Sequence, residues 1–229
     1  MSKVWFFGDS FCARENNWVK QVASNLNSEI ANLGVGGASL NHTLTTIVKN
    51  SEKIQKDDYV IVCFTSIRRH FFKGINFRKN QILDGDKEHW VSWDEERGHY
   101  MPIPNDLIAA YIQFYKNLYT EDIENLMHTI TVNHIINDIL PRLKTNKSIY
   151  FHSMHDIPMD YKFFNQGQDR VCKPLWHIII DYLASKNRLE SLMEETWTDN
   201  HFLDDPNYAK IWWNEVNPVL ELIGAEQEI

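Results

Sequence analysis

No run in this 229-residue chain approaches the ~18 consecutive apolar residues that a membrane-crossing helix needs, so no membrane partner is expected. The amino terminus has no basic region leading into a long apolar segment and a small-residue cleavage site. A cytoplasmic protein is therefore expected, with release by lysis or packaging in a virion as the routes by which it would leave. Cysteine is scarce and odd in number. Cys12, Cys63 and Cys172 have no metal-like spacing, which points to reduced thiols in a reducing compartment. Basic charge is also short: 23 Lys and Arg stand against 31 Asp and Glu, a net charge of -8. That balance argues against nucleic acid, because neutralising a phosphate backbone takes clustered cations. The nearest basic patch, Arg68-Arg69 with Arg78-Lys79, is followed by Asp84, Asp86, Glu88, Asp94, Glu95 and Glu96, which cancel it. Nothing resembles an interdomain linker, and a single domain over residues 1–229 is expected. With 43% hydrophobic and 24% charged residues it should have a packed core.

What is present begins with Val4-Trp5-Phe6-Phe7-Gly8-Asp9-Ser10, an apolar run that breaks abruptly into glycine, a carboxylate and a hydroxyl. Four apolar residues bounded by Gly read as a strand buried on both faces, as in a helix-covered parallel sheet. Ligands of open α/β sheets bind at the carboxyl edge, where this turn must lie. Ser10 is accordingly the candidate nucleophile, although Gly-Asp-Ser alone is also an ordinary turn. A helix from Asn16 to Leu26 follows, with Trp18, Val19, Val22, Ala23 and Leu26 on its apolar face. A strand over Ile30 to Val35 then runs into the glycine-rich turn Asn32 to Ser39, and a helix over Leu40 to Val48 comes next. Tyr59 to Phe64 is the clearest buried strand. Strand, helix, strand, helix, strand within 66 residues implies parallel strands joined by right-handed crossovers.

From about residue 68 to 105 the regular pattern fails. His70, Phe71, Phe72, Phe77, His89, Trp90, Trp93, His99 and Tyr100 lie among charges, and this aromatic-rich insertion reads as a substrate-facing cap or as extra packing. Helices are expected over Asp106 to Leu118 and from Thr120 to Leu140, the second with Ile123, Leu126, Met127, Ile130 and Ile135 on one side. Ser148 to His152 is a further strand. A helix through Leu175 to Leu183 and another starting at Asp205-Pro206 complete the chain.

Just before that last helix, Asp199-Asn200-His201 sets a carboxylate two residues ahead of a histidine. Such a carboxylate can hold one ring nitrogen and leave the other free to take a serine proton. Gly8-Asp9-Ser10, the Asn32 to Gly37 turn and Asp199 with His201 together resemble the SGNH, or GDSL-type, hydrolase family over essentially the whole chain in order. The Phe-Gly-Asp-Ser-Phe opening is similar to phage-encoded members. The resemblance implies a flavodoxin-like three-layer α/β/α fold and a serine esterase or acylhydrolase acting on a small-molecule or carbohydrate ester. Ser10 would be the nucleophile, His201 the base and Asp199 the orienting carboxylate, with no metal and no cofactor. The backbone N–H groups of Ser10 and Gly37 would form the oxyanion hole. This chain has Phe64-Thr65-Ser66-Ile67 where the family places Gly-x-Asn-Asp, so either Thr65 or Ser66 offers the remaining donor as a hydroxyl, with Ser66 preferred, or that contribution is missing. One residue separates Asp199 from His201 where two are commoner.

His152, His155 and Asp156 could serve a metal hydrolase, but no helix places both imidazoles on one face as zinc motifs do. His42, His128, His134 and His177 read as surface or satisfied core residues. A glycan-binding or virion-associated module with incidental activity is the alternative function.

Overall fold

Alternate residues of the strands over residues 3–7, 59–64 and 148–152 are buried on opposite faces, and this double burial organises the protein. The computed structural model describes residues 1–13, 17–85, 87, 90–94, 97, 99–153, 180–181, 183–186, 210–211, 213–214, 217–219 and 221. The first half contains β1 (Lys3–Phe7), α1 (Ser10–Ala13), α2 (Asn17–Asn25), β2 (Glu29–Asn32), α3 (Leu40–Asn50) and β3 (Tyr59–Phe64). There follow β4 (Arg69–Phe72), β5 (Ile75–Arg78), α4 (Lys79–Leu83), β6 (Val91–Asp94), β7 (His99–Pro102), α5 (Asn105–Leu118), α6 (Glu121–His134) and β8 (Ser148–His152).

The main sheet is parallel with the order β2-β1-β3-β8, the 2-1-3-4 progression of flavodoxin-like folds. Val4, Phe6, Ile61, Cys63, Ile149 and Phe151 face one way and pack on Trp18, Val19 and Val22 of α2, with Leu183, Ile211 and Trp213 against the same layer. The intervening Trp5, Phe7, Val60, Val62, Phe64 and Tyr150 face the other way, onto Leu40 and Ile47 of α3 and Val132 of α6. The result is three layers, α/β/α. Asp58 pins the lower edge by accepting the backbone N–H of Lys3 and the indole N–H of Trp5, both at 2.8 Å. No helix among the described residues is long and apolar enough to cross a membrane.

Two expectations need correction. The strand expected over Ile30 to Val35 ends at Asn32, because Gly34 to Gly37 leave the sheet to pack beside the first turn. The long helix over residues 120–140 ends as α-helix at His134 and continues as a π turn, Ile135–Ile139, and a 3₁₀ turn, Leu140–Arg142. Its buried side is also not the expected one: Ile123, Leu126, Met127 and Ile130 are exposed, whereas Glu124, His128, Thr131 and Val132 are buried. Glu124 tolerates burial because His70 Nε2 lies 2.7 Å from it and the Lys79 ammonium donates to its other oxygen. Burial raises its carboxyl pKa, but the hydrogen bonds from His70 and Lys79 outweigh this, and the net shift is downward.

The aromatic-rich insertion folds as two antiparallel hairpins, β4–β5 and β6–β7. Lys73 and Gly74 both have positive φ, 51° and 78°, the turn geometry whose twist matches a tight hairpin. Much of the aromatic content is packing. Phe77 stacks on Tyr111 at 4.5 Å, and with Ile82, Ile103, Ile108 and Tyr115 they form a small core of their own.

His128 and His152 lie buried with their rings 6.4 Å apart. Burial lowers His128 from 6.5 to about 4 and His152 to about 3. Both are therefore neutral in the folded protein at pH 7, while the unfolded chain takes up protons on them once the pH drops below 6.5. Stability should be full above that pH and decline as the pH falls toward 4 and then 3, by a total on the order of several kcal/mol. Urea unfolding of wild type and His128→Phe at pH 7 and at about pH 4.5, midway across that window, checks this: the acid-induced loss should shrink in the variant, and equal losses would exclude the assignment.

Candidate active site

The first turn leaves β1 through a point that only glycine can occupy. A β-carbon on Gly8 would lie 2.6 Å from the carbonyl oxygen of Cys63 and 2.7 Å from its Cβ. The next residue, Asp9, is fully buried. Its Oδ1 accepts the N–H of Phe11 at 3.0 Å, and its Oδ2 accepts Thr65 Oγ1 at 2.8 Å, Arg69 Nη1 at 3.0 Å and Ser153 Oγ at 3.2 Å. The thiol of Cys63 points at Oδ1 from 3.9 Å, and burial pushes that thiol well above its ordinary pKa. One carboxylate thus ties together the segments that follow β1, β3 and β8 and the first residue of β4. Ser10, half-buried, opens α1 directly above this knot.

The second turn runs alongside the first. Val35 N–H donates to Gly8 O at 3.0 Å, and the side-chain amide of Asn32 donates to Cys12 O while its oxygen accepts Gly34 N–H at 2.9 Å. Gly37 then takes φ +80°, a left-handed conformation that side chains resist. Its free flank is filled by Arg78: a β-carbon at residue 37 would lie 2.9 Å from Nη2 and 3.0 Å from Nε. Tyr100 closes over the neighbouring residue, its hydroxyl standing where a β-carbon of Gly36 would go. At this point the insertion faces the carboxyl edge of the sheet, so it both packs on itself and caps the edge.

The third turn bears on the choice between Thr65 and Ser66. Thr65 is buried and donates its only hydroxyl proton to Asp9, so it has none for a substrate oxygen. Ser66 Oγ instead accepts the N–H of Arg68 at 3.2 Å and keeps its own proton to give. Ser10, Gly37 and Ser66 therefore lie in the turns that follow three neighbouring parallel strands. Asp199 and His201 lie outside the described residues, as do Cys172, His89, His155, Asp156 and His177. Among the described residues no group of three or more His, Cys, Asp or Glu is placed to hold a metal ion. His42 meets Asn76 at 2.8 Å, and exposed His134 meets Asp138 at 2.8 Å.

Sequence reasoning missed Asp9, Arg69 and Arg78. Net charge made the Arg68 to Lys79 patch look cancelled, yet Arg69 and Arg78 are directly opposed in the β4–β5 ladder and so project to one face. The available signal was the hairpin itself: two short runs separated by Lys73-Gly74, which sets that register.

No family profile and no curated protein matches the chain. Among solved structures it is similar to a lipase/acylhydrolase from Enterococcus faecalis, with 12% identity over 97% of each chain and a TM-score of 0.41. It is also similar to an acetyl xylan esterase from the rumen bacterium Butyrivibrio proteoclasticus, with 11% identity and a TM-score of 0.42 over 99% of this chain. The chain spans 64% of that esterase. Likeness at this distance transfers neither a site nor an activity, and the α/β/α assignment stands on the strand order and the two buried faces.

Proposed function

We propose that the protein is a serine esterase in which Ser10 attacks an ester carbonyl. The observation that carries this reading is the convergence of Ser10, the Gly37 turn and Ser66 at one carboxyl edge, braced from beneath by Asp9. Ser10 Oγ forms the bond to the carbonyl carbon as its proton passes to His201, and the carbonyl π pair moves onto oxygen. Collapse of that oxyanion expels the alkoxide, which takes the proton from His201, leaving an acyl group on Ser10. Water repeats the cycle, giving its proton to His201 and its oxygen to the acyl carbon, and Ser10 recovers the proton. Asp199 orients the imidazole, and the N–H groups of Ser10 and Gly37 with the Ser66 hydroxyl receive the oxyanion.

An O-acylated carbohydrate is the substrate class we favour. A cleft of about 450 Å³ between α3 and the two hairpins is lined by His42 of α3 and by Phe71, Ser92, Asp94, Arg97 and Met101 of the insertion; neither Ser10, Gly37 nor Ser66 lines it, and its aromatic and hydrogen-bonding groups would hold a sugar apart from the nucleophile. The same cleft supports a second reading, glycan binding without turnover. A fluorophosphonate probe followed by peptide mass spectrometry separates the two: esterase chemistry predicts a covalent adduct on Ser10, and a folded protein that stays unlabelled would favour binding alone.

A further inference from the structure

The third turn, Thr65-Ser66-Ile67, supplies no side-chain amide to the edge where the oxyanion would form, and a guanidinium stands beside it instead. Arg78 is brought there by construction. Asn76, two residues earlier and therefore on the same face of β5, is buried and accepts the backbone N–H of Ser39 at 3.0 Å. Its amide nitrogen meets His42 Nδ1 at 2.8 Å, and its own N–H donates to Ser92 Oγ at 3.0 Å. Ser39 in turn caps α3, accepting His42 N–H at 3.2 Å. This clamp fixes β5 to the residues just after Gly37 and leaves Arg78 lying along that glycine. Across the hairpin, Arg69 occupies the paired position and is held by Asp9 at 3.0 Å, one residue from Ser10. The two guanidinium groups thus approach the site from one face, one engaged by the buried carboxylate below the nucleophile and the other against the second turn.

We infer that Arg78 is a catalytic donor to the oxyanion, supplying by charge and N–H what the third turn lacks. The inference rests on the reading of Ser10 as nucleophile. As the carbonyl π pair moves onto oxygen, the negative charge would develop at the Gly37 turn, whose β-carbon flank is already filled by the Arg78 guanidinium. The guanidinium is a donor only, with five N–H groups and no acceptor. A charged donor aimed at developing charge stabilises the transition state more than the neutral ester, so its loss should appear in kcat and little in KM.

The test compares hydrolysis of a neutral aryl acetate by wild type, Ser10→Ala, Arg78→Gln, Arg78→Ala and Arg78→Lys, with thermal melts of each. Arg78→Gln and Arg78→Ala should lose about 10²–10³-fold in kcat with KM changed less than about threefold. Arg78→Lys should retain part of the rate, and guanidinium ion added to Arg78→Ala should restore part of it, which a purely structural role would not allow. Turnover abolished in Ser10→Ala but unchanged in the Arg78 variants would overturn the role of Arg78 alone. So would a loss confined to KM, or one found only with an aryl ester carrying a carboxylate, since Arg78 would then bind a substrate anion. Turnover by Ser10→Ala equal to wild type would remove the nucleophile and this inference with it.

Discussion

Ser10→Ala is expected to lower kcat toward a short-chain aryl acetate by about 10⁴–10⁶-fold while leaving the far-ultraviolet circular dichroism and melting temperature unchanged. The two halves of this expectation have different causes. Activity falls because the covalent step has no other nucleophile in the turn, and only binding and the oxyanion donors continue to favour attack by water. The fold survives because the local structure does not use the Ser10 hydroxyl: the start of α1 is held by Asp9 Oδ1 on the Phe11 N–H at 3.0 Å. His201→Ala should match Ser10→Ala in rate, and the double variant should be scarcely slower than either, because groups that act as one unit are not additive. Equal turnover by wild type and Ser10→Ala would exclude the esterase reading.

Asp9→Ala is expected to be the most destabilising single change in the site, by about 3–5 kcal/mol, from the loss of one partner of a buried charged pair. Total stability of a domain this size is about 5–15 kcal/mol, so the variant should unfold at a much lower urea concentration, with little folded margin left. The cost arises from what is stranded. Thr65, Ser153, Arg69 and the Phe11 N–H all donate to this carboxylate, which is fully buried. Asp9→Asn preserves the shape but presents a neutral amide to Arg69 and turns donor against donor, so it should lie between wild type and alanine. Thr65→Val removes one donor and leaves the acceptor with its others, and should cost only about 1 kcal/mol. If Asp9→Ala unfolds at the wild-type urea concentration, the carboxylate does not brace the edge.

The contrast between these two neighbours shows where sequence reasoning stops. Gly8-Asp9-Ser10 is legible as a turn after a buried strand, and the serine stands out because that turn falls at the carboxyl edge, where ligands bind. The aspartate gives no such sign. Its four nitrogen and oxygen partners come from residues 11, 65, 69 and 153, and three of them are more than fifty residues away. No local pattern reports such a convergence. The α6 helix was misread for a related reason: its periodic apolar stripe is real but faces outward, while the buried side carries Glu124 and His128. Hydrophobicity alone does not place those two inside, and it omits the Lys79 ion pair and the His70 hydrogen bond that make burial of Glu124 tolerable.

By itself the sequence determined the parallel sheet, its helix-covered faces and the position of Ser10 at a carboxyl edge. Those properties follow from short-range patterning: buried strands are continuously apolar, amphipathic helices repeat every three to four residues, and glycine marks where the chain must turn. The tertiary structure alone decided that Thr65 gives its proton to Asp9 and Ser66 does not, and that Arg69 and Arg78 turn from a charge-balanced stretch toward the site. It also decided that the cap reaches Gly36 and Gly37 through Tyr100 and Arg78. Each of these is a contact between segments distant in the chain, set by strand register and by the need to satisfy buried polar groups, and neither constraint acts over the window in which a sequence pattern can be read.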